Sequence, residues 1–556
     1  MSQNFFQSGP QLGNQFDDDA LLRELLRAEL PQEFHGRAEA ELRRLGARAV
    51  SDLWAMAEDA ERESPVHIPY DAWGQRIDEI RTSSAWGQLS DAAAEEGIVA
   101  TGYERAYGSA SRLVQFAKLY LYHPSSSFFS CPLAMTDGAA RAIELYGDEE
   151  LKRTAFRRLI SRDPAEFWTS GQWMTERTGG SDVSNTSTVA TPLGGTRYAL
   201  TGTKWFTSAT NSQMAMTLAR IEGHPEGSRG LSLFYLELRG DDNRLRNIEV
   251  HRLKNKLGTH ALPTAELSLK GTPARLVGGE GGGVKKISSL FNITRLYNAF
   301  CSLGATRRVL ALSLDYARRR TAFGQPISRA PLHAETMADL VTEFEGNFHF
   351  TFYLAGLLGR EETGEGTPEE SAVLRLLTPV AKLYTAKSCV AITSEVIESF
   401  GGAGYIEDTG LPRWLRDAQV FPIWEGTTNV LSLDVLRAME KEEALAPFFE
   451  SIFGRLDFLP AGFAAEAEQV RDAVGAFSES LEAVVGEGGA SVQASARRIA
   501  YSLARITGAS LLLERAARDR SARSLNVARR WIRGGLNFPL INRKEQLAEN
   551  AEICGF

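Results

Sequence analysis

The sequence predicts an α+β protein with an N-terminal helical domain, a middle antiparallel β-domain and a C-terminal helical bundle. Helical periodicity dominates to about residue 165, short β-branched and aromatic segments follow, and helical periodicity then returns. The 556 residues are 43% hydrophobic and 24% charged, which is typical of a globular protein with several domains. The order helix, sheet, helix is unusual and fits few enzyme folds.

Residues 1–165 are predicted to form the N-terminal helical domain, with an extension at its start. Apolar residues recur at i, i+3 and i+4 spacing in the segments 17–30 and 38–60, which places them on one face of a helix. Asp17, Asp18 and Asp19 put negative charge at a predicted helix start, where the helix dipole favours it.

Residues 166–278 are predicted to form the middle β-domain. Its β-rich segments are short and separated by Gly, Pro, Asn or Asp, and they include 197–209, 214–221, 231–238 and 265–271. Such spacing indicates an antiparallel sheet or a small barrel.

Residues 279–445 are predicted to form a four-helix-bundle domain, and residues 446–556 an additional C-terminal helical domain. Long stretches of helical periodicity, suited to a bundle, cover 281–320, 333–360 and 370–400. The turn-rich segment FGGAGYIEDTGLPRW follows them.

Composition and residue spacing argue against several classes of protein. The net charge of -8 disfavours the whole molecule as a nucleic-acid binder. Four widely spaced cysteines without a CxxC pair, and eight histidines without a ligand cluster, predict no metal site and no disulfide framework. The start of the chain lacks a basic n-region, and no stretch approaches the ~20 apolar residues of a membrane span. We therefore expect a cytoplasmic enzyme.

A loop with two adjacent glycines, WMTERTGGSDV, covers residues 173–183. A Thr hydroxyl and successive backbone N–H groups in such a loop can hydrogen-bond a polar ring edge or a phosphate. Taken alone, the motif is explained equally well by a plain turn that enters a strand.

Two further motifs could contact a flat, phosphorylated ligand. Trp205 in GTKWFTS could cover a heterocycle while a neighbouring hydroxyl bonds its edge, although a core Trp in a sheet is commoner. The segment YARRRTAFGQPI at 316–327 places an arginine just past a predicted helix end, which suits a phosphate oxygen. A solvated basic helix terminus explains this second motif as well.

Glu425 is the candidate general base. It follows the apolar segment 421–424, and a carboxylate in such surroundings loses hydration, so its pKa is expected to rise toward the useful range. An exposed loop glutamate is the alternative. Gly426 could open a helix whose Thr427 and Asn429 face a ligand.

Together these segments resemble the acyl-CoA dehydrogenase superfamily. The matching elements fall in the family's order and spacing across residues 130–440. They are MTERTGGSDV, GTKWFTSA, KNKLGTHALPTAELSL, GGEGGGVKKISSLFNITR, YARRRTAFGQPI, FGGAGY and RDAQVFPIWEGTTNV. The long N-terminal extension, the VSNTS after GGSD and the extra C-terminal helices are similar to the AidB-like branch of these flavoproteins.

The resemblance implies FAD as the cofactor. Trp205 and Thr207 would flank the isoalloxazine ring, and Arg320 would reach the FAD pyrophosphate of a neighbouring subunit, which implies a homotetramer built as a dimer of dimers. The full set of implied cofactor-binding residues is Met174, Thr175, Gly180, Ser181, Trp205, Phe206, Thr207, Arg320, Phe323, Gly401, Gly402, Thr427 and Asn429.

The resemblance also implies the reaction. Glu425 matches the base that removes the α-proton of an acyl thioester, such as an acyl-CoA, while the β-hydride passes to flavin N5. Some branches place the base in an earlier helix, where this chain has Thr294 followed by Arg295. Threonine cannot act as a carboxylate base, which favours Glu425. Arg295, Arg416 and Trp424 match residues that line the substrate site, with a structural ion pair as the alternative for the arginines.

Three residues depart from the family's usual pattern. Trp424 stands in place of Tyr and would narrow the acyl channel, and Asn429 stands in place of Gln. Glu398 brings a charge to a position where an amide usually meets FAD. These departures also resemble the AidB-like branch, in which brisk dehydrogenation of short acyl-CoAs is not assumed.

Residues 491–544 form a basic region with twelve Lys and Arg against two acids. A basic helical stripe attracts nucleic-acid phosphates, and this one resembles the region by which AidB-like proteins are thought to hold DNA. A subunit interface against acidic surfaces, or a solvated face, is the favoured alternative because the whole molecule is acidic.

The main hypothesis is FAD-dependent α,β-dehydrogenation of an acyl thioester with a fairly long or unusual acyl chain. An electron-acceptor protein or O2 would receive the electrons. Two alternatives stay open: a flavin-dependent oxidase or N-hydroxylase on the same scaffold, and an AidB-like DNA-binding flavoprotein with weak dehydrogenase activity.

Overall fold

The computed structural model describes residues 8–540 and 545–556. The chain divides into two compact units, Gly13–Tyr297 and Asn298–Phe556, and the second also includes the short segment that ends at Leu12. The first unit combines helices with the main sheet, and the described residues of the second are helical apart from one small hairpin. The α+β fold class predicted from the sequence is confirmed.

The N-terminal part of the first unit is helical, and one hairpin interrupts it. In chain order the elements are α1 (Ala20–Glu29), α2 (Gln32–Arg48), α3 (Asp52–Arg62), β1 (Val66–Tyr70), β2 (Arg76–Arg81), α4 (Ser84–Glu95), α5 (Ala100–Glu104), α6 (Ser111–Tyr122), α7 (Ser130–Tyr146), α8 (Glu149–Leu151) and α9 (Arg157–Leu159). The first helix begins where the aspartates predicted it, because Asp19 caps α1 by accepting a hydrogen bond from the Leu22 N–H at 2.9 Å.

A buried polar cluster joins α5, α6, α7 and the first part of α10 (Gly283–Arg319). Asp137 is fully buried, and its carboxylate accepts hydrogen bonds from Tyr103 at 2.7 Å, from Arg112 at 2.9 Å and from the Tyr297 hydroxyl at 2.9 Å. Gln115 donates to the same carboxylate. A buried charge is tolerated only when it is paired and hydrogen-bonded, and here one guanidinium and three other donors fulfil that condition.

The main sheet lies between Ser170 and Val277 in the sequence. Its strands are β3 (Ser170–Gln172), β4 (Val189–Gly194), β5 (Arg197–Ser208), β6 (Met214–Ile221), β7 (Leu231–Glu237), β8 (Ile248–Leu253) and β9 (Thr264–Val277). The pairing order β6-β4-β5-β9-β7, closed by a β6–β7 pairing, makes a small barrel, with β3 added to β6 and β8 added to β9. The pairs are antiparallel as predicted, except that β3 and β4 each pair with β6 in parallel.

The barrel strands β6 and β7 also pack against helices of the same unit. Leu218 and Leu233 share one buried apolar cluster with Ile143 of α7 and Leu290 of α10. Burial of these side chains is the main favourable term that holds the sheet on the helices.

In its described residues, the second unit contains the rest of α10 and nine further α-helices. They are α11 (Pro331–Thr363), α12 (Pro368–Ser399), α13 (Leu411–Ala418), α14 (Thr428–Lys441), α15 (Leu445–Asp457), α16 (Ala464–Glu487), α17 (Gly489–Asp519), α18 (Ala522–Arg533) and α19 (Glu545–Cys554), and β10 (Thr321–Ala322) pairs with β11 (Gln325–Pro326) in a hairpin. Thr367 and Glu370 form a capping box that starts α12, with Pro368 at its first position.

The C-terminal helices belong to the same compact unit as the bundle. Trp531 of α18 is 1% exposed and lies against Gly346 of α11 and Gly508 of α17. A Cβ would come within 2.2 Å of the indole ring at Gly346 and within 2.5 Å at Gly508, so both positions require glycine. The guanidinium of Arg505 covers the ring at 3.8 Å from its centroid.

Within residues 8–540 and 545–556, no helix combines the length and apolar character needed to cross a membrane. Over the same residues, no group of three His, Cys, Asp or Glu side chains is arranged to hold a metal ion.

Candidate functional site

A buried ion pair between Glu176 of the glycine loop at 173–183 and Lys204 of β5 anchors the loop to the sheet. Glu176 accepts hydrogen bonds from Lys204 Nζ at 2.8 Å, from the Ser187 N–H at 2.7 Å and from the Thr188 hydroxyl at 2.5 Å. The Glu176 and Lys204 side chains are 2% and 0% exposed. Burial alone would raise the pKa of Glu176, but the charge and hydrogen bonds of Lys204, Ser187 and Thr188 outweigh it and lower the pKa to about 2.

The predicted cofactor residues of this loop lie close together. Met174 is buried, Thr175 is half-buried, and Gly180 and Ser181 are exposed. A Cβ at Gly180 would come within 2.5 Å of the Thr175 hydroxyl, so glycine lets the loop fold back over that residue. Among the described residues, the Thr175 hydroxyl has no hydrogen-bond partner, and its carbonyl accepts from the Trp205 N–H at 3.0 Å.

Trp205 and Phe206 present aromatic rings beside this loop. The ammonium of Lys254 lies 4.0 Å from the Trp205 ring centroid and 4.5 Å from that of Phe206. Phe206 is 56% exposed, whereas Thr207 is fully buried and donates its hydroxyl hydrogen bond to the Ala265 carbonyl at 2.8 Å. The Thr207 hydroxyl is therefore already engaged inside the sheet.

A bulge in the β5–β9 pairing between Lys204 and Thr207 shifts the alternation of side chains in β5. Beyond the bulge, Thr207 points inward and the half-buried Ser208 follows it on the opposite face. Ser208 was not predicted as a site residue, and its position after Phe206 is evident only once the bulge is known.

In the second unit, Glu425 lies in the short connection between α13 and α14. Glu425 has a φ of +56° and Gly426 a φ of +99°, so two successive residues take the left-handed conformation that non-glycine residues seldom adopt. Glu425 is half-buried, as is Trp424 before it. Lys382 of α12, which is fully buried, donates a hydrogen bond to the Gly426 carbonyl at 2.7 Å.

The predicted cofactor residues after Glu425 begin a helix, as the sequence predicted. Thr427 is the N-cap of α14 but its side chain does not make the capping hydrogen bond. Both Thr427 and Asn429 are exposed. They lie beside the N–H groups of the first helical turn, which favour an anionic or polar ligand.

The paired glycines Gly401 and Gly402 lie in a tight turn directly after α12. Both are exposed, Gly401 has a φ of +61°, and a Cβ on Gly402 would meet no atom within 4 Å. Phe400 before them is buried and its ring packs on Tyr316 of α10, with centroids 4.7 Å apart. The turn thus offers exposed backbone at the end of a well-packed helix.

Arg320 and Phe323 lie in the β10–β11 hairpin region that follows α10. Arg320 is half-buried, and its N–H donates to the Tyr316 carbonyl at 2.8 Å. Phe323 is at the hairpin tip with a φ of +51° and a fully exposed ring. The ring of Phe323 is therefore accessible to another molecule.

The predicted substrate residues fall in different environments. Arg295 lies on α10 in the first unit and is half-buried. Arg416 pairs with Glu407 through two hydrogen bonds, at 2.5 Å and 3.0 Å, so Arg416 does take part in a structural ion pair. Trp424 packs its ring against Phe421, with centroids 6.4 Å apart.

The first unit therefore brings together 174–181 and 205–207, and the second brings together Glu425, Thr427 and Asn429. Lys254 and Lys382 were not predicted from the sequence. The sequence does contain a hint of Lys382, because this lysine is a single cation in the otherwise uncharged segment TPVAKLYTA. Lys254 gave no comparable signal.

Arginines of the basic region at 491–544 pair with acids of the same chain. Glu345 of α11, whose side chain is 3% exposed, accepts from both Arg515 and Arg523. The further pairs are Arg505 with Glu343 at 2.9 Å, Arg529 with Glu466 at 2.7 Å and Arg530 with Asp339 at 2.6 Å. These arginines are thus paired within the chain itself, whereas the predicted alternative was a subunit interface or a solvated face. Arg543 and Lys544 lie outside the described residues.

Four family models match successive parts of the chain. They are described as adaptive response protein AidB N-terminal domain (residues 9–163), acyl-CoA dehydrogenase middle domain (171–272), acyl-CoA dehydrogenase C-terminal domain (281–440) and acyl-CoA dehydrogenase 11 C-terminal domain-like (443–553).

Two curated relatives cover most of the chain. Acyl-CoA dehydrogenase family member 11 of Caenorhabditis elegans is 45% identical over 531 residues, which is 92% of this chain and 86% of that protein. The AidB protein of Escherichia coli (strain K12) is 30% identical over 397 residues, or 70% of this chain and 72% of that protein.

Among solved structures, Caenorhabditis elegans ACDH-11 in complex with C11-CoA superimposes with a TM-score of 0.96 at 42% identity. The match covers 100% of this chain and 97% of that chain.

Proposed function

Because the chain belongs to the acyl-CoA dehydrogenase family, in its AidB-like branch, we propose that it oxidises an acyl thioester at Cα–Cβ with Glu425 as the base. Members of this family bind FAD, so the predicted cofactor is confirmed at the level of the family. The observation that carries the assignment of the base is the backbone of Glu425, which holds a half-buried carboxylate in a left-handed conformation beside a helix start. Such strained positions cluster at functional sites.

The residues of the chain fit FAD in their chemistry. Phe206 leaves an aromatic surface exposed, and the Thr175 hydroxyl has no partner within the described part of the chain. Thr427 and Asn429 add exposed polar groups at the start of α14. We assign Met174, Thr175, Gly180 and Ser181 to the polar edge and phosphates of the cofactor, and the Trp205–Phe206 pair to its ring system.

The position of Thr207 refines this assignment. Its hydroxyl donates to the Ala265 carbonyl, so Thr207 would support β5 from inside the sheet. Trp205, Phe206 and Ser208 are then the residues of this strand that we assign to the cofactor. Gly401 and Gly402 would let the cofactor approach the backbone closely, since no side chain covers them.

When bound, FAD supplies the hydride acceptor for the substrate Cβ. Glu425 removes the α-proton, which is acidified when hydrogen bonds hold the thioester carbonyl. Trp424 limits the width of the acyl channel beside this base. Arg295 would contribute positive charge near the substrate, and Arg416 would act through its ion pair with Glu407.

The substrate class proposed is an acyl-CoA with a chain of medium length. ACDH-11 of Caenorhabditis elegans, at 42% identity over the whole chain, was solved with C11-CoA. We therefore expect affinity for saturated acyl-CoAs of similar length.

The test is anaerobic mixing with acyl-CoAs of graded chain length while the flavin absorbance is followed. We expect bleaching that is greatest near the length of C11-CoA. Glu425→Gln should retain FAD and lose bleaching and α-proton exchange, on the order of 10²–10⁴-fold, as expected for a general base. Glu440→Gln, on the exposed face of α14, is the matched control and should behave as the wild type. Full turnover by Glu425→Gln would place the base elsewhere.

The same experiment separates the dehydrogenase from the oxidase or N-hydroxylase. Reduced enzyme that stays bleached in air and reoxidises with an electron-acceptor protein supports a dehydrogenase. Rapid reoxidation by O2 with peroxide release would support the oxidase alternative. Failure of every acyl-CoA to bleach the flavin would refute the proposed reaction and leave a vestigial, AidB-like flavoprotein.

We also propose that the protein assembles as a homotetramer through surfaces that include the β10–β11 hairpin. Phe323 is fully exposed in the single chain, and Leu332 just beyond the hairpin is 80% exposed. Arg320 beside this hairpin is the residue assigned to the FAD of a neighbouring subunit. Light scattering should give four times the 61.0 kDa chain mass, and Phe323→Asp should lower both that mass and FAD retention.

A further inference from the structure

The connection that carries Glu425 is held by groups from two different helices. On one side, Lys382 of α12 donates to the Gly426 carbonyl at 2.7 Å. On the other, the Asn298 side-chain amide of α10 donates to the Phe421 carbonyl at 3.1 Å. Both Lys382 and Asn298 are buried, at 0% and 2% exposure, so water does not compete for either contact.

The backbone between these two contacts is unfavourable without support. Glu425 adopts a φ of +56°, and the Gly426 that follows adopts a φ of +99°. A Cβ on Gly426 would lie 2.9 Å from Leu431 of α14, so the chain passes close to the helix that it enters. Side chains in a left-handed conformation persist where the surroundings enforce it.

The buried ammonium of Lys382 lies next to the turn at Gly426. An ammonium is a strong donor, and its burial is unfavourable unless it is satisfied by good acceptors. An apolar residue would fill the same space in α12 without that penalty. The ammonium of Lys382 reaches the carbonyl directly after Glu425, so support of this turn is one function that the buried charge serves.

We propose that Lys382 is a positioning residue, which fixes the turn at Gly426 and thereby the direction of the Glu425 carboxylate. This inference rests on the proposed role of Glu425. It adds that the geometry of the base depends on a residue of α12, which lies more than 40 positions earlier in the sequence. Lys382 itself is not a proton acceptor in the reaction.

The test compares Lys382→Met with Lys387→Met in the FAD-loaded enzyme. Methionine keeps most of the volume of lysine without the donor, and Lys387 is an exposed residue of the same helix. Hydrogen exchange, read by mass spectrometry on peptides that cover 421–428, should rise at least tenfold in Lys382→Met and stay unchanged in Lys387→Met. The melting temperature and FAD content report whether the fold is intact.

Kinetics provide the second readout. In Lys382→Met we expect kcat for acyl-CoA oxidation to fall about 100-fold with KM within about twofold, because misalignment of a reacting group by 1 Å is of that order. α-Proton exchange should fall in the same proportion, and Lys382→Arg should recover part of both losses. A merely structural role would instead lower FAD content and melting temperature and leave the kcat of the loaded enzyme unchanged.

The possible failures are distinguishable. Unchanged hydrogen exchange at 421–428 in Lys382→Met would overturn the positioning role, whatever the activity. Raised exchange with unchanged kcat would overturn the assignment of Glu425 as the base, and with it the inference about catalysis. If Lys382→Met does not fold, Lys382→Gln, too short to reach the carbonyl, serves for the same comparison.

Discussion

Replacement of Glu176 by glutamine is the sharpest test of how the predicted FAD loop is held. The Glu176 carboxylate is 2% exposed and is bonded to Lys204, Ser187 and Thr188. Glutamine cannot accept from all of these donors, and it leaves the ammonium of Lys204 buried with the Leu218 carbonyl at 3.2 Å. The variant should therefore lose both stability and order in the loop at 173–183.

The expected loss of stability can be approached in two ways, both of which reflect the interaction of Glu176 with its donors. The pKa of Glu176 is lowered from 4.5 to about 2, and a difference of about 2.5 pKa units corresponds to about 3 kcal/mol of stability. Breaking a buried ion pair by removing one partner costs about 3–5 kcal/mol. We therefore expect Glu176→Gln to unfold about 3 kcal/mol more easily than the wild type at neutral pH.

The pH dependence of the stability difference shows whether the Glu176 carboxylate is its cause. A carboxylate whose pKa is depressed in the folded state contributes its stability above the unfolded pKa, near 4.5 for Glu176, and loses it as the pH falls toward the folded pKa. The difference between wild type and Glu176→Gln should thus be full at pH 6 and shrink progressively below pH 4.5.

The assay is urea unfolding followed by circular dichroism at pH 6, 4 and 3. Glu149→Gln is the matched control, because Glu149 pairs with Lys152 at 3.4 Å but is 93% exposed, and it should be indistinguishable from the wild type. An equal loss in both variants, or a Glu176→Gln deficit that does not change with pH, would refute the reasoning. FAD retention should fall in Glu176→Gln alone.

Two further predictions concern the contacts of the C-terminal helices. Glu345→Gln removes a buried acceptor shared by Arg515 and Arg523 and should destabilise the second unit by about 2–3 kcal/mol, the range for hydrogen bonds between charged groups. The control Glu335→Gln, whose carboxylate is 67% exposed beside Arg530, should change the melting temperature little, and equal shifts would contradict the role given to burial. Double reversal of Arg529 and Arg530 to Glu should lower the melting temperature by several degrees, because both are paired with acids of the chain, whereas reversal of the exposed Arg520 and Arg533 should not. Anisotropy titration with duplex DNA in both double variants then shows whether weakened DNA binding reflects lost charge or a damaged fold. Equal melting temperatures of the two double variants would contradict the stabilising role given to the ion pairs of Arg529 and Arg530.

Much of the fold follows from local patterns in the sequence. Apolar spacing marked the helices on both sides of the sheet, and Asp19 marked the start of α1. β-Branched and aromatic segments with turn residues marked the barrel strands. These signals are local, since each depends on residues within a few positions of one another.

The site was predicted less completely, because it depends on long-range contacts. The β5 bulge, which is visible only against β9, decides that Thr207 points inward while Phe206 is exposed. Lys382 and Gly426 are far apart in the sequence and meet only when α12 packs beside the turn. Likewise, the excess of arginines in 491–544 is evident from the sequence, but the acids of α11 that pair with them lie more than 150 residues away.

The slot that encloses Trp531 has a consequence for how this chain can be shortened or recombined. The glycine at 346 in α11 is required because the indole ring of Trp531 from α18 packs directly against it. A version that ends at the bundle would expose that groove together with Glu343 and Glu345, whose arginine partners would be gone. A minimal enzyme would therefore need a redesigned face on α11, with a larger residue at 346 and neutral ones beside it. A C-terminal segment grafted from a relative would have to bring an aromatic residue of matching size.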